Sequence, residues 1–124
     1  MGLDDYVVWE GWTDDPVGAI DSADIYIVPS SNDEPYSFAK MEGQLRGKPT
    51  VALASGGEVE GIHHGFDGML ASPDGYVLSE VPEELIVNPE LRRTIAVNGW
   101  MKGKKVHTQD RVYKEIKQAY EKVL

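Results

Sequence analysis

At 124 residues the chain is long enough for one domain with its own core. Its 41% hydrophobic and 27% charged fractions are those of an ordinary soluble globular protein, and no apolar run is long enough for an integral membrane segment. The formal charge of −9 argues against nucleic acid or an anionic membrane surface as partner, and the absence of cysteine excludes disulfides and thiolate metal sites.

In chain order, Tyr6–Trp9 reads as a short strand, a weak helix lies around Pro16–Ser22, and Ile25–Val28 reads as a buried strand. A helix is predicted from about Tyr36 to Arg46, stopped by Gly47. Pro49–Leu53 is a third strand, entered through proline at its edge. The turn Ser55–Gly57 leads to a short helix over Val59–His63, and Gly68–Ala71 is a fourth strand. Tyr76–Val87, with Pro82 inside it, is ambiguous. Asn88-Pro89 is a good cap and first-position pair for a helix to about Trp100, and Lys102–Lys105 reads as a solvated loop. Thr108 or Asp110 caps a last helix, about 108–124, whose stripe is Val112, Ile116, Ala119, Tyr120 and Val123. Buried runs alternating with helices imply an α/β, Rossmann-like, mostly parallel sheet of about four strands in one domain, 1–124. Ligands bind such sheets beyond the carboxyl ends of the strands, where Glu34, Gly56, Gly57 and Glu60 can converge.

Glu34 and Glu42 stand eight residues apart around the start of the helix that follows the second strand. The free amides of Ser37, Phe38 and Ala39 can hold an anion there, with a carboxylate on either side for sugar hydroxyls. Each has a plainer reading. At about 100° per residue, Glu42 borders the apolar stripe through Phe38, Met41 and Leu45, where a polar partner is expected or the side chain snorkels to water. Glu34 serves equally as a loop carboxylate near a helix start, as would Asp33 or Asn32. Gly56-Gly57 gives a ligand close access to the backbone, or simply turns the chain. The adjacent His63 and His64 point about 100° apart and suit a surface better than a metal. Lys40, Arg46 and Lys48 could face phosphate, although the last two also suit the negative end of a helix. Gly43 inside a helix points to close packing or a softened helix.

The ordered set is more specific than its members. It runs Ile25–Ser30, Glu34–Glu42, Gly47–Ala52, Gly56–Ile62, His64–Leu70 and Pro73-Asp74, with Asn88–Arg93 following. This series resembles the C-terminal donor-binding domain of GT-B retaining glycosyltransferases with the Glu-x7-Glu signature, over about residues 6–110. The resemblance implies a site for a nucleotide-diphospho-sugar, with no metal or other cofactor. Glu34 would be the catalytic contact to the donor hexose near the transferred carbon. Ser37, Phe38 and Ala39 would present amides to hexose and diphosphate, and Glu42 would take the ribose hydroxyls. Gly57 would lie by the phosphates, with Glu60 supporting its loop.

Three departures qualify it. Ser37 stands where the family often has glycine, and Gly43 where it usually has alanine. The chain also begins after two strands that carry a basic pair, and without the acceptor domain. Either the Tyr6–Trp9 strand closes up against the next, or another chain fills the gap. The domain is therefore expected to be partial, cytoplasmic and inactive alone, completed by a homodimer or a partner chain. A non-catalytic nucleotide- or sugar-binding regulator and a nucleotide-sugar epimerase-like fragment are the alternatives, and the retained glutamates and Gly56-Gly57 favour the transferase.

Overall fold

The computed structural model describes residues 2–30, 35–73 and 75–124. Its elements are α1 (Pro16–Ser22), β1 (Tyr26–Val28), α2 (Phe38–Leu45), β2 (Thr50–Leu53), α3 (Glu58–Gly61), β3 (Met69–Ala71), α4 (Gly75–Val87), α5 (Pro89–Val106) and α6 (Gln109–Val123). Among the described residues the sheet has three strands in the order β1-β2-β3, every pair parallel. Tyr26 lies opposite Thr50, and Val51 opposite Met69. This is the Rossmann-like sheet expected, with one strand fewer.

The missing strand is Tyr6–Trp9. It begins in a turn in which the Tyr6 and Val7 amides bond to the Leu3 carbonyl, and among the described residues it pairs with no strand. A strand forms only where a neighbour takes up its backbone groups, and β1 has β2 on one side and no described strand on the other. Closure of that segment onto the sheet does not occur.

Alternation along β1 and β2 sorts side chains to two faces. Tyr26, Val28, Thr50 and Ala52 share one face, where Ala39 of α2 and Ile62 add to the core. Val51, Leu53, Met69 and Ala71 form the other core with Val81 and Leu85 of α4 and Ile95 of α5. Helix α4 resolves the ambiguous stretch. Leu78, Val81 and Leu85 keep helical spacing onto the sheet, and Pro82 sits within the helix at the cost of one backbone donor.

The helix ends follow the capping signals. Ser37 caps α2, accepting from the Lys40 amide, and Asn88 and Thr108 do the same for α5 and α6. Gly47 ends α2 at φ +67, with Lys48 N–H bonded to the Gly43 carbonyl and Gly47 N–H to that of Gln44. Helix α5 runs past Trp100 to Val106, so Lys102–Lys105 is its last turn, not a loop. It packs on α2 through Gly99 and Gly103, where a Cβ would press on the Asp67 carbonyl and on Leu45. Among the described residues no helix is long and apolar enough to cross a membrane.

Candidate functional site

The parallel strands put the loops after β1 and β2 at the same edge of the sheet. The first loop leads into α2 and the second, through Gly56-Gly57, into α3. They touch: a Cβ at Gly57 would overlap the Pro35 carbonyl oxygen. Only glycine permits that approach, so Gly57 and the start of α2 form one edge. Glu34 lies outside the described residues.

At the start of α2, the buried Ser37 uses its hydroxyl on the Lys40 amide (3.2 Å) and its carbonyl on the Met41 amide (3.3 Å). The Phe38 and Ala39 amides have no partner among the described residues. They are the orphan donors of a helix N-terminus, able to accept an anion. The Phe38 ring is exposed beside them.

Glu42 lies one turn on and is exposed, the water-facing of the two readings open to it. Gly43, Gln44 and Lys40 take the inner face of α2 instead. A Cβ at Gly43 would run into the Tyr26 ring and the Thr50 hydroxyl, which accounts for the glycine as close packing. Tyr26 holds its proton more tightly than usual, through burial first and the nearby Glu42 carboxylate second. Glu60 is exposed on α3.

Lys40 does not face a phosphate. It is fully buried, 2.8 Å from a Glu58 carboxylate oxygen and 3.5 Å above the Tyr36 ring centroid. Arg46 and Lys48 are also engaged: Arg46 pairs with Asp21 through two nitrogens, and Lys48 Nζ donates to the Asp21 carbonyl. The Arg46 hydrogen bonds hold the Asp21 carboxyl below its ordinary range.

A second polar group, centred on Asp67 between α2 and α5, is one that spacing alone does not reveal. The buried Asp67 accepts from the His63 amide (2.9 Å), meets the His63 Nδ1 at 2.9 Å and pairs with Lys102 at 2.8 Å. Burial pushes its pKa up, but the bonds from Lys102 and His63 outweigh this and hold it below the usual carboxylate value. Gln44 donates to the Asp67 carbonyl and meets His107 Nε2 at 3.1 Å. Burial, then the nearby Lys40, Lys102 and Arg111, push the His107 pKa down. Its ring stands edge-on to Tyr36, 5.9 Å between centroids. Tyr36 is shifted up by burial and then by Glu58. His63 and His64 are exposed as expected, yet both are used: His64 Nδ1 accepts from the Leu70 amide.

An open groove of about 550 Å³ runs from Tyr36, Phe38 and Met41 to Val112, Tyr113 and Ile116 of α6. Its wall is mostly apolar, and the α6 stripe stays exposed along its length.

The family model for glycosyl transferases group 1 matches residues 1–88. The human alpha-1,3/1,6-mannosyltransferase ALG2 is 30% identical over 73 residues, which make up 59% of this chain and 18% of that protein. The uncharacterized glycosyltransferase MJ1178 of Methanocaldococcus jannaschii is 36% identical over 75 residues, 60% of this chain and 21% of that protein. The chain thus spans about a fifth of the length of these relatives. The crystal structure of Anabaena Alr3699/HepE in complex with UDP matches with a TM-score of 0.92 at 25% identity, over 98% of this chain and 34% of that one. The same protein in complex with UDP-glucose matches over 84% of this chain with a TM-score of 0.78.

Proposed function

The chain belongs to the glycosyl transferases group 1, and on that footing we propose that it is a donor-binding domain that holds a nucleotide-diphospho-sugar for hexosyl transfer with retention of configuration. The observation that supports this most is the edge where Gly57 meets Pro35 beside the unpartnered Phe38 and Ala39 amides. A diphosphate laid there meets backbone donors and the positive end of α2 without needing a side-chain cation. That matters in a chain of formal charge −9.

In this reading Glu42, exposed one turn into α2, takes the ribose hydroxyls. Ser37, Phe38 and Ala39 address the hexose and diphosphate. Gly57 lets the loop approach the phosphates, and Glu60 supports that loop. Glu34 meets the hexose near the transferred carbon. The chemistry asked of the domain is orientation of the donor and stabilisation of the diphosphate as it leaves. Transfer itself needs an acceptor side supplied by further polypeptide, by a second copy or by a partner chain.

Titration calorimetry with UDP-, GDP- and ADP-sugars tests the proposal. One of them is expected to bind saturably. Glu42→Ala removes a charged hydrogen-bond partner, about 1.5–3 kcal/mol, and should weaken that binding about tenfold or more. Glu34→Ala should weaken it for the nucleotide sugar but not for the free nucleotide. Binding by none of the sugars sinks the donor reading, and unchanged affinity in Glu42→Ala removes Glu42 from the ribose role.

A further inference from the structure

The donor reading leaves unused the most deeply buried pair of opposite charges among the described residues. Lys40 and Glu58 are 0% and 1% exposed, with Nζ 2.8 Å from Oε2. Neither charged group finds another hydrogen-bond partner among the described residues. Removing two charges from water costs several kcal/mol each, and an apolar pair of similar volume is commonly as stable. Net stability is therefore a poor account of the pair, and its position is a better one.

Lys40 is in the first turn of α2, and Glu58 is the first residue of α3. Each thus follows directly on one of the two loops that meet at the proposed donor edge. The ion pair ties the starts of the two helices together. The surroundings are fitted to it. Gly61 has no room for a Cβ because Lys40 Nζ occupies that space, and the Tyr36 ring covers the cation at 3.5 Å. On the ligand side, Gly57 rests against the Pro35 carbonyl. The separation between the Phe38 and Ala39 amides and the Gly56-Gly57 backbone is thus set twice, by the backbone contact of Gly57 with Pro35 and by the ion pair.

We propose that Lys40 and Glu58 are positioning residues for the donor diphosphate, holding the Gly56-Gly57 loop at a fixed distance from the N-terminus of α2. This rests on the donor reading. The pair touches no ligand and acts only through the two loops, so its loss should be felt by ligands that bridge them. A nucleoside held by Glu42 alone should be indifferent to it.

The test is the double variant Lys40→Met/Glu58→Met in the full chain, because a single substitution strands a buried charge. The probe is UDP-glucose, or whichever UDP-, GDP- or ADP-sugar the parent chain binds, set against the matching nucleoside. The double variant is expected to unfold within about 4 °C of the parent. Its affinity for the nucleotide sugar should fall about tenfold or more while nucleoside affinity stays within about twofold. Amide hydrogen exchange should quicken at 36–39 and 56–58 and stay unchanged in β2. Gly61→Ala, which pushes on Lys40 Nζ, should give the same selective loss if the double variant does not fold. Unchanged nucleotide-sugar affinity overturns the proposal. So does an equal loss for nucleotide sugar and nucleoside accompanied by faster exchange throughout the sheet. A parent chain that binds no nucleotide sugar sinks the donor reading itself, and this inference with it.

Discussion

Gly43 shows how a single residue can carry two opposed physical terms. Alanine in a helix interior is favoured over glycine by about 1 kcal/mol. Here the added methyl would meet the Tyr26 ring and the Thr50 hydroxyl, both on the sheet. Overpacking of that kind costs about 1–3 kcal/mol, so Gly43→Ala is expected to lower stability in urea unfolding despite the gain in propensity. A stabilised variant would mean that α2 can move off the sheet without loss. His107 gives a second test. Its folded pKa lies below the unfolded value of about 6.5, so the unfolded chain binds the proton first. The stability it contributes is complete above that value and is lost as pH falls through the folded pKa. Urea midpoints should therefore drop on acidification below about 6.5, and His107→Gln should flatten that step. Asp67, with its folded pKa depressed, adds a separate loss at lower pH, below the ordinary carboxylate range. The sequence makes Gly43 conspicuous because a glycine in a helix asks for a reason. Lys40 gives no such warning: its spacing suits a surface cation as well as a buried one, and only the approach of Glu58 and Tyr36 decides between them.

Among the elements, the helices with capping signals are the ones legible beforehand. Asn88 and Thr108 each accept from an amide three residues on, and their helices begin where those residues predict, whereas α2 begins at Phe38, two residues past its expected start, because Ser37 caps it. The long α5 overruns its expected end because Gly99 and Gly103 lie against α2 and the loop at Asp67, so that packing holds a stretch whose glycines weaken it locally. Helix α6 is the reverse case. Its amphipathic pattern is the clearest in the chain, yet it has no buried residue. A stripe at helical spacing predicts a helix, but burial needs a partner surface, and among the described residues α6 has only the rim of the groove at Tyr36, Phe38 and Met41. Ile116→Ser should therefore change the stability of this chain by no more than about 0.5 kcal/mol, against 2–5 kcal/mol for truncating a buried aliphatic residue. A larger loss would show that α6 is packed in solution against something absent from this arrangement.

For the molecule as a whole, β1 has a described neighbour on one side only, the α6 stripe is uncovered, and Trp9 and Trp12 are 91% and 93% exposed. An open strand edge and exposed apolar groups favour association. In keeping with the proposed need for a second copy or a partner, light scattering of this chain alone is expected to report a mass above the monomer as concentration rises. A strict monomer throughout would remove the homodimer and leave a partner chain or further polypeptide. Much of this molecule is determined locally: buried runs of β-formers, caps at helix starts and glycine at the end of α2 set which segments become strands and helices. The order of its motifs, from Ile25 to Arg93, points to the family. Tertiary structure alone decided three things. Tyr6–Trp9 has strand composition but no neighbour to pair with among the described residues, and so forms no strand. Glu42 faces outward because Gly43, Gln44 and Lys40 fill the inner side of α2. Lys40 and Glu58, eighteen positions apart by their numbering, become one buried pair. Strand pairing, burial and charge pairing depend on what approaches from elsewhere in the chain, and no local pattern records that.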